Sequence, residues 1–76
     1  MNNNRRKAIR EQAEQLENVK DLIEQLKEEE EEYYNNMPES LQDGEKGDKA
    51  QSAIDSLDNA LGSIGEALDS LEEATE

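Results

Sequence analysis

The sequence predicts an all-α protein, an antiparallel helical hairpin of two long amphipathic helices that pairs with a second copy as a dimeric four-helix bundle. Three observations carry this. Bulky apolar residues recur at offsets of three and four in both halves of the chain. The single Pro and two of the four Gly fall together between residues 38 and 47, so helix breakers mark one reversal point. Seventy-six residues, 32% hydrophobic and without Phe, Trp or Cys, make one small domain whose core needs reinforcement from outside.

The first helix is expected over residues 4–35. Ile9, Leu16, Val19, Ile23, Leu26, Tyr33 and Met37 follow a heptad pattern, and the intervening Glu, Gln, Lys and Leu are good helix formers. Asn35-Asn36 favours a turn, and the position before Pro38 is driven out of the helical region.

Residues 36–47 read as an ordered connector. Pro38 suits the first turn of a short helix, Asp43-Gly44 and Gly47 supply turns, and Met37 and Leu41 are placed to cap the apolar end of the hairpin.

A second helix follows over residues 48–74, opening on the capping-box pattern Asp48-Lys-Ala-Gln51. Three heptads beginning at Ser52, Asn59 and Glu66 align position for position and give the seam Ile54, Leu57, Leu61, Ile64, Leu68 and Leu71. Ala53, Ala60, Ala67 and Ala74 edge that seam, so this helix is built to meet two neighbours.

Antiparallel packing with facing residue numbers summing to about 80 sets Ile9 level with Leu71, Leu16 with Ile64, Val19 with Leu61, Ile23 with Leu57 and Leu26 with Ile54. The same register brings Arg5, Arg6, Lys7 and Arg10 beside Glu72, Glu73 and Glu76, and Lys46 and Lys49 near the Glu28–Glu32 run. Exposed pairs of this kind contribute roughly 0.2–1 kcal/mol each, enough to favour one orientation. A lone hairpin leaves one side of its seam wet, and a symmetric homodimer covers it.

The formal charge is −13, from 8 Lys+Arg against 21 Asp+Glu. Residues 1–10 carry +4, residues 11–34 carry −8 and residues 35–76 carry −9. Most of the molecule repels nucleic acid, so no direct nucleic-acid binding is expected. No segment has the roughly 20 apolar residues of a membrane span or a signal-peptide core, and a cytoplasmic location is expected.

With no His and no Cys, the usual proton shuttle, thiol nucleophile and soft metal ligands are missing, and no enzyme activity and no cofactor are expected. Glu28–Glu32 point in different directions around a helix and lack the alternating pattern of a calcium loop, so no metal site is assigned and the run reads as a solvated acidic surface. Ser56, Ser63 and Ser70 repeat every seven residues without an activating base. Tyr33 fits the core pattern, which leaves Tyr34 as the surface aromatic. Gly62 and Gly65 sit inside the second helix near Asp55, Asp58 and Asp69, where they either admit a partner's close approach or are simply tolerated.

The charged first helix, the connector Tyr33-Tyr-Asn-Asn-Met-Pro-Glu-Ser-Leu-Gln-Asp-Gly-Glu45 and the Ala-Ile-Asp-Ser-Leu heptad together resemble small acidic proteins of bacteriophages and prophages of Gram-positive bacteria. That group carries no established activity. Similar small acidic phage products include inhibitors of host nucleases and defence systems, some of which imitate nucleic acid.

The expected function is therefore a noncatalytic interaction module acting in a bacterial host cell. Its acidic surface would occupy a basic nucleic-acid site on a defence protein such as a CRISPR effector, in competition with nucleic acid. The partner-binding candidates are Glu24, Glu28, Glu29, Glu31, Glu32, Tyr34, Asp55, Asp58 and Asp69. The alternative is a helical assembly or adaptor protein that binds a partner helix through its apolar seam, with the acids keeping it in solution.

Overall fold

The computed structural model describes residues 1–76 as three helices: α1 (Asn3–Asn35), α2 (Glu39–Gln42) and α3 (Glu45–Ala74). The two long helices run antiparallel along a rod with Cα extents of 58 × 14 × 12 Å. α1 starts where the Asn2 side chain accepts a hydrogen bond from the Arg5 amide at 2.7 Å, satisfying one of the otherwise unpaired N–H groups of the first turn. It ends at Asn36, and the connector contributes to that end, because the Gln42 side-chain amide donates to the Tyr34 carbonyl at 2.9 Å.

α3 begins three residues earlier than the 48–74 expected from sequence. Gly44 occupies the cap position without a side-chain bond, and Asp48 lies inside the first turn with Glu45, where acidic side chains complement the helix dipole. Gly47, read from sequence as a boundary, is one of two buried residues and sits within the helix. Its Cα hydrogens face the backbone of Gln42 so closely that a Cβ would overlap it.

This contact fixes the register. The connector's own helical turn moves the reversal point to about Gln42, from the Ser40 implied by facing numbers that sum to 80. Along the side of α1 that faces α3, and just past its end, the sheltered residues run Ile9, Ala13, Leu16, Lys20, Ile23, Lys27, Glu30, Tyr34 and Met37; along the facing side of α3 and its cap they run Gly47, Ala50, Ile54, Leu57, Leu61, Ile64, Leu68, Leu71 and Thr75, with Arg6, Glu31, Ala53, Ala60 and Gly65 half-buried beside these series. Both series alternate steps of three and four, and they match layer by layer when facing numbers sum to 84, as in Leu16 with Leu68 and Ile23 with Leu61. The Lys27 bond to Asp58 agrees with this register.

Relative to the expected register, α3 is slipped by four residues, about one helical turn. Two corrections follow. Val19 and Leu26 leave the hairpin seam: they are 45% and 54% exposed, with Leu22 at 61% and Tyr33 at 53%. Tyr34 takes the inner place given to Tyr33, opposite Ala50, which is only 3% exposed. The basic cluster also departs from its expected place. Residues before Arg10 have no counterpart in α3 at this register, so Arg5, Arg6 and Lys7 lie beyond its end. No ion pair within 4.0 Å joins the cluster to Glu72, Glu73 or Glu76; the ion pairs present are Lys27–Glu31, Lys27–Asp58 and Lys49–Glu45.

Gly47→Ala should destabilise the fold by about 1–3 kcal/mol in urea denaturation, because the new methyl group meets backbone that cannot yield. Gly62→Ala, where nothing lies within 4 Å of the added methyl, should stabilise it by about 0.5–1 kcal/mol.

Candidate functional site

The i, i+3 and i+4 spacings of Glu24, Lys27, Glu28, Glu31 and Tyr34 set these residues along one edge of α1. Gln51, Asp55, Asp58 and Gly62 form the matching edge of α3. Between the two edges runs a shallow open groove. Its middle is lined by Glu24, Lys27, Glu28, Glu31, Asp58, Leu61 and Gly62. Toward the connector it is lined by Lys27, Glu31, Tyr34, Asn35, Gln51, Ile54, Asp55 and Asp58.

Lys27 is the only cation lining this groove, against the five carboxylates of Glu24, Glu28, Glu31, Asp55 and Asp58. It sits on the inner seam of α1, where its methylene stem covers apolar surface and its ammonium reaches out to the edge. The ammonium donates to Asp58 Oδ1 at 2.9 Å and lies 3.7 Å from Glu31 Oε1. The hydrogen bond to Asp58 holds the Lys27 ammonium above its ordinary pKa, and the charges of Asp58 and Glu31 add to the effect against partial desolvation. This is the one ion pair that joins α1 to α3.

Of the residues picked out from sequence, the structure brings Glu24, Glu28, Glu31, Tyr34, Asp55 and Asp58 together on the groove. Tyr34 is half-buried at its floor and is not an exposed anchor. Asp69 continues the α3 edge eleven residues beyond Asp58, roughly 16 Å along the axis, past Gly62 and Gly65. Glu29 and Glu32 are exposed and do not line the groove; Glu29 belongs to the stripe that also carries Leu22, Leu26 and Tyr33. Sequence reading missed Lys27. The signal for it was its place in the seven-residue series Ala13, Lys20, Lys27, Tyr34, which forms half of the α1 seam.

The arrangement presents hydrogen-bond acceptors and negative charge, with no enclosed pocket around any carboxylate. No set of three or more acidic side chains converges closely enough to hold a metal ion. No helix is long and apolar enough to cross a membrane. No family model, curated protein or solved structure matches the chain.

The Lys27 bridge predicts an alkaline transition. A raised folded-state pKa contributes stability that is fully present below the ordinary value of 10.5 and is lost as pH rises through the folded value. In denaturation experiments at stepped pH, the stability difference between wild type and Lys27→Met should stay constant up to that point. Above it, the difference should move against the wild type.

Proposed function

We propose that the chain is a noncatalytic interaction module, an inhibitor of the kind small phage proteins supply. In this reading its acidic groove occupies a basic nucleic-acid-binding site on a host defence protein and excludes nucleic acid by competition. The observation that carries the reading is the charge of the groove: five carboxylates face solvent on one side of a narrow rod, and a single ammonium opposes them.

Magnitudes favour a strand-like ligand mimic. Thirteen net negative charges along 58 Å amount to about one per 4.5 Å. A single DNA strand carries roughly one per 3.4 Å and a duplex roughly one per 1.7 Å, so the rod approaches the former. A cleft lined with cations focuses the field and draws such a rod in quickly, with a strong dependence on ionic strength. Gly62 adds room on the groove edge, since no side chain stands between its backbone and an approaching surface.

The test combines Glu24→Gln, Glu28→Gln, Glu31→Gln and Asp55→Asn in one variant that keeps the Lys27–Asp58 bridge. Immobilised wild-type protein should retain a basic nucleic-acid-binding protein from host extract. Rising salt or a single-stranded oligonucleotide should release it, and the neutralised variant should bind on the order of 10–1,000-fold more weakly. A partner held equally by both proteins and indifferent to salt would exclude the acidic groove as the binding surface.

A further inference from the structure

The face of α1 turned away from the acidic groove carries a second, unused heptad seam. Ala8, Gln12, Gln15, Val19, Leu22, Leu26, Glu29 and Tyr33 alternate steps of four and three without interruption, and all eight are exposed. Shallow apolar grooves flank this stripe at both ends. Gln12, Gln15, Leu16, Val19 and Leu71 line one; Tyr33, Met37, Pro38, Leu41 and Lys46 belong to the other. Lys46, which borders the second groove, heads the seven-residue series Ala53, Ala60, Ala67, Ala74 on α3, so small side chains edge the same face.

We infer that this face binds a second copy of the chain, with the two α1 helices antiparallel across a twofold axis between Lys20 and Asp21. Two observations favour that occupant. The first is the symmetry of the stripe. Read backwards it repeats its own spacing, and the pairing it dictates sets Val19 against Leu22, Gln15 against Leu26, Gln12 against Glu29 and Ala8 against Tyr33 of the second copy. An isologous interface requires this self-complementarity. In it the Gln12 amide faces a carboxylate it can donate to, and the smallest residue of the stripe faces the largest.

The second observation is area. A compact monomer of 8.6 kDa exposes roughly 4,700 Å². This chain exposes 5665 Å², an excess of roughly 1,000 Å², and has only two buried residues. A standard interface buries roughly 800 Å² on each partner. The excess therefore matches what one such interface would cover.

The dimer leaves the acidic groove on the outside, so it stands or falls separately from the proposed partner binding. Sedimentation equilibrium of the full chain at micromolar concentration should give twice the 8.6 kDa chain mass. Leu22→Asp, at a site already exposed in the hairpin, should raise the dimer dissociation constant at least ~100-fold while helicity is kept.

Geometry has its own readout because the chain has no cysteine. A mixture of Gln12→Cys and Glu29→Cys chains, oxidised or treated with a short thiol crosslinker, should yield the mixed dimer in excess over either homodimer. A monomeric wild type, a Leu22→Asp protein that still dimerises, or predominant homodimer crosslinks would each overturn the inference.

Discussion

The close approach of Gly47 to the backbone of Gln42 decides where the chain reverses, and with that which side chains of α1 meet α3. A hairpin has a single register variable, and every residue by which the apex moves slides the two helices past each other by two. The helical turn Glu39–Gln42, tied to the end of α1 through Gln42 and Tyr34, displaces the apex enough to slip α3 by a turn. Slips of whole turns keep apolar faces roughly aligned, so the hydrophobic pattern alone distinguishes them weakly. The glycine contact and the connector geometry distinguish them sharply.

This register divides the apolar surface of α1 into two parts. Ile9, Leu16 and Ile23 are covered by α3, whereas Val19, Leu22, Leu26 and Tyr33 remain open. A single helix covers an arc of its neighbour narrower than the apolar face that α1 presents, and helices with such broad faces belong in bundles with more than one partner. The Ala53, Ala60, Ala67, Ala74 series of α3 has the same meaning, since small side chains permit close approach by another helix. Hydrophobic burial within one chain is correspondingly thin, and Ala50 is its only buried apolar side chain. Long-range order along the rod thus rests on a narrow seam, backbone hydrogen bonding and the single bridge from Lys27 to Asp58.

The two faces differ in chemistry as well as position. One edge pair gathers carboxylates around Lys27, and the opposite side collects Leu, Val and Tyr. The proposed self-association is compatible with the displayed charge only through this segregation, because a carboxylate desolvated in an apolar interface costs several kcal/mol when unpaired. The overhang of the Arg5–Arg10 cluster belongs to the same scheme. The cluster makes no ion pair with the acids of α3.

Much of this was legible in the residues themselves. Heptad spacing, helix-forming composition and the clustering of Pro38, Gly44 and Gly47 determined an antiparallel pair of helices with a structured connector, because side-chain period and backbone stereochemistry are local properties. The gathering of Glu24, Glu28, Glu31, Asp55 and Asp58 was also partly legible, since i, i+3 and i+4 spacings fix a face within each helix. Tertiary structure alone decided which of two interleaved seams on α1 became the hairpin interface. It thereby set Tyr34 inward and Tyr33 outward, and left the basic cluster without its expected acids. The reason is physical: both seams satisfy the same local periodicity, and contacts between separate elements, Gly47 against the Gln42 backbone and Gln42 with the Tyr34 carbonyl, break the tie.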